Sequence, residues 1–342
     1  MKTCAVFGEI LLRLSPPPGE RLLQSPVLSA RFGGAEANVA VSLARFGRAV
    51  RCITVLPISP LGDAAAGELR RFGVDTSFIV RREGRMGLYF AEGGAAHRPS
   101  QVVYDRENSA LALIAPGAVE WPNALEGAGR FHMTGITPAL SARAADAALE
   151  AVKTARNKGL EVSLDLNFRA NLWTYGKTVL DVMPEFVRQA DLLIANEEDC
   201  QKCLGIEAAA VPGRDALDPR VYEDLTARVM NRFPNLGRLA VTLRRSRSAS
   251  DNNWTAVMRT PARFFTGPDY DIRGIVDRIG AGDAFAAGLI HGLDTLDDDR
   301  AALAFAVAAS CLKHTIAGDF NLADESEVLR LMRGDCSGRI RR

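Results

Sequence analysis

Short, almost wholly apolar runs alternate with helical patterns along most of this 342-residue chain. The runs lack the apolar–polar alternation of a strand with one wet face, so both of their faces are expected to be covered. Repeated strand–helix units with short connections predict a doubly wound, mostly parallel α/β sheet flanked by helices. The predicted strands are 4–8, 51–57, 130–136, 160–167, 190–196 and 237–244, and the predicted helices are 35–47, 62–73, 141–159, 178–189 and those from 281 onward.

Two stretches, 9–31 and 84–106, depart from this rhythm. They consist of short strand-like runs with Gly/Pro turns and no helix between them. They predict a small antiparallel sheet over one edge of the main sheet, which would be well placed as a lid over an active site. With no long linker or internal repeat, residues 1–342 are expected to form a single domain.

Composition excludes several classes of protein. The net charge of +1 offers no field for nucleic acid or an anionic membrane, and the chain has no apolar run long enough to predict a membrane-spanning helix. Six cysteines in a chain of this length do not suggest a disulfide scaffold, so a reducing cytoplasm is expected. Cys200 and Cys203 form a lone CxxC without a second ligand pair, which favours two thiols on a helix over a zinc site.

The segment DRIGAGDAFAAGL contains the most informative turn. Gly280, Ala281 and Gly282 precede a helical pattern, and such a turn points backbone N–H groups at an anion. Asp283 follows directly, where a carboxylate could take the proton from a substrate hydroxyl. By itself it could equally be a helix N-terminal carboxylate that stabilises by about 0.3–1 kcal/mol.

Polar residues gather at other predicted strand ends and helix starts. Gly33 and Gly34 open a helix with Asn38 one turn in, so a small polar ligand could reach backbone amides and the Asn38 side chain. Asp165, Asn167 and Arg169 follow one strand, where substrates are normally bound.

Two further strands add groups suited to phosphate. Asn196 and Asp199 follow one strand and could organise hydrated Mg²⁺. Arg244 ends another and could neutralise phosphate. A polar loop at 313–321 follows an Ala-rich helix.

Together these segments resemble the ribokinase-like (PfkB) carbohydrate kinases. The matching motifs are GG-x-x-x-N from Gly33 to Asn38 and D-x-x-GAGD from Asp277 to Asp283. The resemblance implies a Rossmann-like domain with a small β lid that often mediates dimerisation. It also implies that Asp283 is the general base and that Gly280, Ala281 and Gly282 form the anion hole.

Within that family the chain is most similar to the 2-keto-3-deoxygluconate kinases, on segments such as VYDREN, NFRANLW and DRIGAGDAFAAGL. The implied activity is ATP-dependent phosphorylation of the terminal hydroxyl of this sugar acid. The residues implied to hold the sugar are Tyr89, Tyr104, Arg106 and Arg169, beside Gly33, Gly34 and Asn38. Arginine suits this task because its planar fork binds a carboxylate through two hydrogen bonds.

The resemblance also assigns the nucleotide side. ATP and Mg²⁺ are implied, and a monovalent cation is a further candidate cofactor. Asn196 and Asp199 would hold Mg²⁺ through water. The expected nucleotide-binding residues are Asn196, Arg244, Ser246, Gly282, His314 and Asp319.

Three positions depart from the family pattern. Asp199 stands where the family's Asn-x-x-Glu has the longer acid, which affects the Mg²⁺ geometry. Arg278 replaces the Thr that commonly follows the first Asp of the C-terminal motif. Met86 stands before Gly87 where a small hydroxyl residue is frequent.

Three other functions are open at this stage. A fructokinase, or another sugar or sugar-acid kinase, would use the same base. A catalytically silent sugar or nucleotide binder would have no need of Asp283. A dehydrogenase is disfavoured because no GxGxxG follows the first strand. The sequence does not separate gluconate-derived from galactonate-derived substrates.

Overall fold

The computed structural model describes residues 2–207 and 219–335, so the ends of the expected 1–342 domain lie outside the described residues. The strands are β1 Thr3–Phe7, β2 Leu11–Ser15, β3 Ser29–Gly33, β4 Val50–Ile53, β5 Val55–Pro57, β6 Val80–Arg82, β7 Gly87–Glu92, β8 Gln101–Asp105, β9 Ala128–Thr134, β10 Glu161–Asp165, β11 Leu192–Ala195, β12 Arg238–Ser246, β13 Asp251–Arg259, β14 Phe264–Thr266 and β15 Tyr270–Arg273. The helices are α1 Ala35–Arg45, α2 Pro60–Arg71, α3 Trp121–Ala124, α4 Ile136–Ala139, α5 Ala142–Asn157, α6 Val179–Val187, α7 Glu197–Leu204, α8 Pro219–Arg232, α9 Ala281–Thr295, α10 Asp299–Lys313 and α11 Glu325–Met332.

The main sheet confirms the doubly wound α/β prediction. Its order within the described residues is β14, β13, β12, β11, β10, β9, β1, β4, with β15 paired to β13. All neighbours from β12 to β4 are parallel, whereas β13, β14 and β15 close one edge with antiparallel pairs. These three edge strands were not predicted, because their sequences mix polar and apolar residues after an Arg-rich turn.

The central parallel strands end at the same level. Asp165, the last residue of β10, lies opposite Thr134 on β9 and Ile194 on β11. Ala195, which ends β11, pairs with Val241 on β12. The loops that follow these strands therefore meet at one edge of the sheet, where open α/β folds bind their ligands.

Helices cover both faces of the main sheet. Leu193 of β11 is buried in a cluster with residues of α5, α6, α7 and α8. Its neighbours Leu192 and Ile194 are buried in a second cluster with residues of α1, α9 and α10. Because alternate residues of β11 are buried on opposite sides of the sheet, this strand is apolar throughout.

Helices α9 and α10 pack closely against each other through glycine and alanine residues. A Cβ on Gly288 would lie 2.9 Å from the Cα of Ala306, and one on Gly292 would lie 2.7 Å from the Cα of Ala302. Neither distance leaves room for a side chain. The two helices therefore hold each other at a fixed separation, and with it the start of α9.

The second sheet, called the lid sheet here, has the order β3, β2, β7, β8. Its outer pairs β2–β3 and β7–β8 are antiparallel, as predicted for 9–31 and 84–106, and a parallel pairing of β2 with β7 joins them. Strand β3 runs on to Gly33, and every residue of β8 is exposed.

The predicted strand at 51–57 is in fact two strands. Strand β4 belongs to the main sheet, and β5 pairs with β6 in a separate two-stranded sheet. The chain leaves the main sheet at Thr54, a buried residue between them. None of the described helices is long and apolar enough to cross a membrane.

Candidate active site

A cavity of about 620 Å³ lies at the carboxyl ends of the parallel strands, with walls from both the main sheet and the lid sheet. Most of the predicted site residues meet in it, although they come from distant parts of the chain. Those that line it are Gly34, Asn38, Tyr89, Tyr104, Arg106, Arg169, Asn196, Asp199, Arg244, Gly280, Ala281, Gly282, Asp283, His314 and Asp319.

Two predicted site residues do not line this cavity. Gly33 is buried at the end of β3, where a Cβ would lie 2.1 Å from Oδ2 of Asp319, so its position serves close packing. Ser246 lines a neighbouring cavity of about 480 Å³, which shares Arg244 and Arg278 with the main cavity.

The predicted anion turn has the geometry that glycine allows. Gly280 precedes α9 with φ of 85°, and a Cβ there would lie 2.0 Å from the carbonyl oxygen of Asp319. Gly282 in the first turn is exposed to the cavity, with no atom within 4 Å of where its Cβ would be. The N–H of Ala281 donates to the Arg278 carbonyl at 3.3 Å. The other first amides of the helix lack helical acceptors, so the turn can present N–H donors to the cavity.

Asp283 lies in that first helical turn, and its side chain is buried. Nδ2 of Asn38 donates a hydrogen bond of 2.7 Å to its Oδ2. Burial raises the pKa of Asp283 to about 6, against the lowering effects of the Asn38 hydrogen bond and of the Arg169 charge. A carboxylate with this pKa is ionised at neutral pH yet basic enough to accept a proton.

Asn38 was predicted to bind hydroxyls, but its amide is committed to the protein. While Nδ2 donates to Asp283, Oδ1 accepts from the backbone N–H of Gly34 at 3.3 Å. Asn38 therefore orients the candidate base and ties it to the start of α1.

The lid sheet brings aromatic and charged groups over the cavity. Nε of Arg106 donates to Oε2 of Glu9 at 2.8 Å, and the Ser109 hydroxyl donates to the other carboxylate oxygen of Glu9. All three side chains are buried. The guanidinium carbon of Arg106 also lies 5.6 Å from the centre of the Tyr104 ring. The charge of Arg106 is thus already balanced by Glu9, which no motif in the sequence indicates.

Arg169 is held differently. It follows Asn167, which has a left-handed backbone (φ 39°), and its Nη1 donates to the Phe168 carbonyl at 2.8 Å. Its side chain is exposed and forms no ion pair with any carboxylate of the described residues. Arg169 is therefore the cation at this end of the cavity that is open to an anionic ligand.

Buried carboxylates gather near the candidate base. Burial raises the pKa of Asp165, and the charges of Asp199 and Asp283 raise it further. Glu36 accepts hydrogen bonds from the backbone N–H and hydroxyl of Thr134, at 2.8 and 2.7 Å, while burial raises its pKa to about 7. This end of the cavity is consequently rich in oxygen ligands.

Asn196 and Asp199 cap α7 reciprocally. Oδ1 of Asn196 accepts from the backbone N–H of Asp199, and Oδ2 of Asp199 accepts from that of Asn196, both at 2.8 Å. The other Asp199 oxygen accepts from the Phe168 N–H at 2.9 Å. Within residues 2–207 and 219–335, no group of three or more His, Cys, Asp or Glu side chains is arranged to hold a metal directly. The remaining oxygen lone pairs of Asn196 and Asp199 could contact Mg²⁺ through water. Their role in Mg²⁺ binding stays a prediction.

Two arginines lie side by side at the end of the cavity where nucleotide is expected. Arg244 and Arg278 both line the cavity, and enclosure by its walls lowers the pKa of each. Nε of Arg278 donates to the Ala249 carbonyl at 3.0 Å, which fixes its head beside Arg244. Two adjacent cations here suit a polyphosphate. Arg278 had been noted only as a departure from the family pattern.

His314 and Trp254 form an aromatic wall next to these arginines, with ring centres 5.5 Å apart. Nδ1 of His314 donates to the Ser310 carbonyl at 2.7 Å. Burial lowers the pKa of His314 to about 4, so the ring is neutral at physiological pH. Trp254 was not predicted, since β13 was not recognised as a strand.

Asp319 joins the lid sheet to the anion turn. It accepts a hydrogen bond from the Tyr89 hydroxyl, and its Oδ1 lies 2.8 Å from Nη1 of Arg13. The same Arg13 nitrogen lies 2.8 Å from Oδ2 of Asp277, which precedes the turn. Asp319 is buried and fully engaged, so it positions the turn in addition to lining the cavity. No pattern in the sequence pointed to Arg13.

The family model for the pfkB family carbohydrate kinases matches residues 1–226 and 268–323 of this chain. A 2-dehydro-3-deoxygalactonokinase from Haloferax volcanii is 32% identical over 332 residues, which cover 97% of this chain and 97% of that protein. A 2-dehydro-3-deoxygluconokinase from Bacillus subtilis is 28% identical over 297 residues, with coverage of 86% and 84%.

The crystal structure of a 2-dehydro-3-deoxygluconokinase from Thermotoga maritima superposes with a TM-score of 0.92. It is 44% identical in sequence and covers 98% of this chain and 100% of its own. The similarity thus extends over nearly the whole chain.

Proposed function

Because this chain belongs to the pfkB family of carbohydrate kinases, we propose that it transfers the terminal phosphoryl group of ATP to the terminal hydroxyl of 2-keto-3-deoxygluconate (2-dehydro-3-deoxygluconate). The observation that carries the chemistry is the buried Asp283 carboxylate, oriented by Asn38 at 2.7 Å and placed in the first turn after Gly280. The observation that carries the choice of an acid sugar is the exposed Arg169 at the cavity wall.

In this reaction Asp283 accepts the proton of the terminal hydroxyl. The hydroxyl oxygen forms a bond to the γ-phosphorus as the bond from that phosphorus to the bridging oxygen of ADP breaks, and ADP leaves with the electron pair. The amides of Gly280, Ala281 and Gly282 stabilise the negative charge of the transferring group. Most of the catalysis is positioning and electrostatic stabilisation, since phosphoryl transfer needs little covalent help from the protein.

The sugar acid would lie between Arg169 and the lid sheet. Arg169 would bind the carboxylate with its guanidinium fork. The charge of Arg106 is already balanced by Glu9, so Arg106 would contact sugar hydroxyls and not the carboxylate. Tyr104 would face the same hydroxyls. The gluconate-derived and galactonate-derived acids differ at one hydroxyl and would both reach Arg169.

The polyphosphate of ATP would lie along Arg244 and Arg278, with Ser246 at its outer end. His314 would lie beside the adenine ring. Mg²⁺, when bound, would neutralise phosphate charge. Asn196 and Asp199 would hold it through water, and the surrounding carboxylate oxygens are the donors that it prefers. A monovalent cation is not needed in this proposal, since Lys313 donates to the Asp277 and Ile316 carbonyls beside the turn.

We also propose that residues 1–342 form a single ribokinase-like domain, with a lid at about 9–31 and 84–106, and that two copies associate through the lid. The support is β8, whose apolar side chains Val102 and Val103 are 39% and 44% exposed. A cytoplasmic location is supported by Cys4, Cys52, Cys200 and Cys203, which are buried, reduced thiols.

The test is release of ADP by purified protein with Mg·ATP, across 2-keto-3-deoxygluconate, its galactonate epimer, fructose and ribose, with a chelated control lacking Mg²⁺. A higher kcat/KM for the acids supports the proposal, and the ratio between the two acids sets the epimer preference. Preference for fructose would identify a fructokinase with the same base. Tight binding of a sugar or ATP with no turnover would identify a silent binder.

A further inference from the structure

Lys313, the last residue of α10, is fully buried behind the anion turn and does not line the cavity. Its Cε lies 3.3 Å from the position that a Cβ on Gly280 would occupy. A fully buried lysine is costly unless its charge is compensated, so its position calls for an explanation.

The ammonium group is bound by main-chain oxygens. Nζ donates to the Ile316 carbonyl at 3.0 Å and to the Asp277 carbonyl at 3.5 Å. Ile316 follows α10, whereas Asp277 opens the motif that leads into the turn. The lysine therefore joins the two backbone segments that enclose Gly280.

The charges around Lys313 are balanced in a small cluster. Arg13 and Lys313 are its cations, and Asp277 and Asp319 are its carboxylates. Burial lowers the pKa of Lys313 to about 8, with Asp277 and Asp319 opposing the shift, so the amine is protonated at neutral pH. Its charge also lowers the pKa of Asp283.

We infer that Lys313 is a positioning residue that supplies the anion turn with a built-in cation, so that turnover needs no dissolved monovalent cation. The inference rests on the proposed kinase function. Its ammonium fixes the Asp277 and Ile316 carbonyls around Gly280 and places a positive charge behind the amides that face the phosphoryl group. A K⁺ ion would take up the same carbonyl oxygens, but the covalently attached ammonium already occupies them.

The first experiment measures kcat and KM of the wild type, K313M and K313A, with K158M as the matched control at an exposed lysine. Lys313→Met keeps the length of the side chain and removes the charge. We expect kcat to fall by about 10- to 100-fold in K313M, with little change in KM for the sugar, and to be unchanged in K158M. The acidic limb of the kcat–pH profile should also move to higher pH in K313M.

The second experiment is rescue. Lys313→Ala removes the atoms of a propylammonium ion, so added propylammonium should restore part of the kcat of K313A, whereas neutral propanol should not. K313M, whose side chain fills the space, should not respond. Wild-type kcat should be the same in KCl as in choline chloride at equal ionic strength. A wild type that requires K⁺, or a K313M variant with wild-type kcat, would overturn the inference.

Thermal melting separates this inference from the kinase assignment, because it needs no substrate. K313A should melt at a higher temperature in KCl or propylammonium chloride than in choline chloride, since a cation that binds only the folded chain stabilises it. The wild type should show no such difference. Failure of every sugar in the turnover assay would refute the proposed function, and equal melting of K313A in all three salts would refute the built-in cation.

Discussion

Asn38 and Asp283 are 245 residues apart in sequence, yet the amide of one donates a 2.7 Å hydrogen bond to the carboxylate of the other. The bond joins the start of α1 to the start of α9, so the two glycine-led helix starts form one unit. This hydrogen bond fixes Oδ2 of Asp283, so that Oδ1 can accept the proton of a substrate hydroxyl.

Changing Asp283→Asn should remove the base and leave the geometry intact, because an amide oxygen can still accept from Asn38. We expect kcat to fall by about 10²- to 10⁴-fold, the usual contribution of a positioned general base. Steady-state kinetics of D283N, with D297N as an exposed aspartate control, provide the measurement. Near-normal turnover in D283N would remove Asp283 from the mechanism.

The same substitution should stabilise the protein at neutral pH. The pKa of Asp283 is about 6 in the folded chain, against 3.8 for the free side chain. Between these values the folded state binds more protons than the unfolded state, so stability falls as pH rises through that window. Above pH 6, the ionised Asp283 carboxylate therefore lowers the free energy of unfolding by about 3 kcal/mol. D283N should melt above the wild type at neutral pH, with the advantage shrinking as pH falls below 6; a wild type that melts higher at neutral pH would contradict this.

Removal of the Asn38 amide should shift the acidic limb of the rate profile upward. Wild-type kcat should fall as pH drops through about 6, where Asp283 takes up its proton. The Asn38 hydrogen bond lowers the pKa of Asp283 and the Arg169 charge acts in the same direction, so in N38A the pKa should rise. The profile is measured at saturating sugar and ATP for both proteins, and coincident acidic limbs would show that the hydrogen bond does not tune the base.

Arg169→Leu should distinguish acid sugars from neutral ones. The exposed guanidinium has no carboxylate partner among the described residues, so its loss should leave the fold unchanged. We expect KM for 2-keto-3-deoxygluconate to rise by about 10- to 100-fold, consistent with the loss of a charge-assisted pair, and KM for fructose to change little. R188L, at the exposed residue that follows α6, is the control. Equal effects on both sugars would argue against carboxylate binding by Arg169.

Arg106→Leu should act mainly on stability. It leaves the buried Glu9 carboxylate without its cation, which typically costs about 3–5 kcal/mol. Urea unfolding of R106L should show this loss, and the double variant E9Q/R106L should recover part of it, because Gln needs no cation. If the single and double variants unfold at the same urea concentration, the Glu9–Arg106 pair is not energetically coupled.

Much of the fold could be predicted because a buried parallel strand can be recognised from the apolar residues of its own short segment. Residues 130–136, 160–167 and 190–196 are short segments rich in apolar residues, and each overlaps a strand of the main sheet. Strands β13, β14 and β15 could not be predicted in this way, since their burial depends on partners distant in sequence. The parallel pairing of β2 with β7 is equally non-local.

The candidate site was predictable where function follows a short motif. The turn at Gly280 and the base at Asp283 occupy consecutive positions, and glycine there has a direct geometric cause. The pairing of Arg106 with Glu9, and the burial of Lys313 behind the turn, depend on long-range packing. A sequence shows that a charged residue is present, but its partner and its accessibility emerge only from the fold.

The contact of Gly288 and Gly292 with α10 has a consequence for how such an enzyme can diversify. It makes α9 and α10 one rigid block, which carries the proposed base, Asp283, and the predicted anion turn. Tyr89 and Tyr104, which line the same cavity, belong to the lid sheet. In the proposed reaction, bond-making belongs to this helical block, whereas contacts with the acceptor are shared between Arg169, which follows β10, and the lid sheet. Substitutions in the lid sheet can therefore alter the choice of acceptor while the chemical apparatus stays the same.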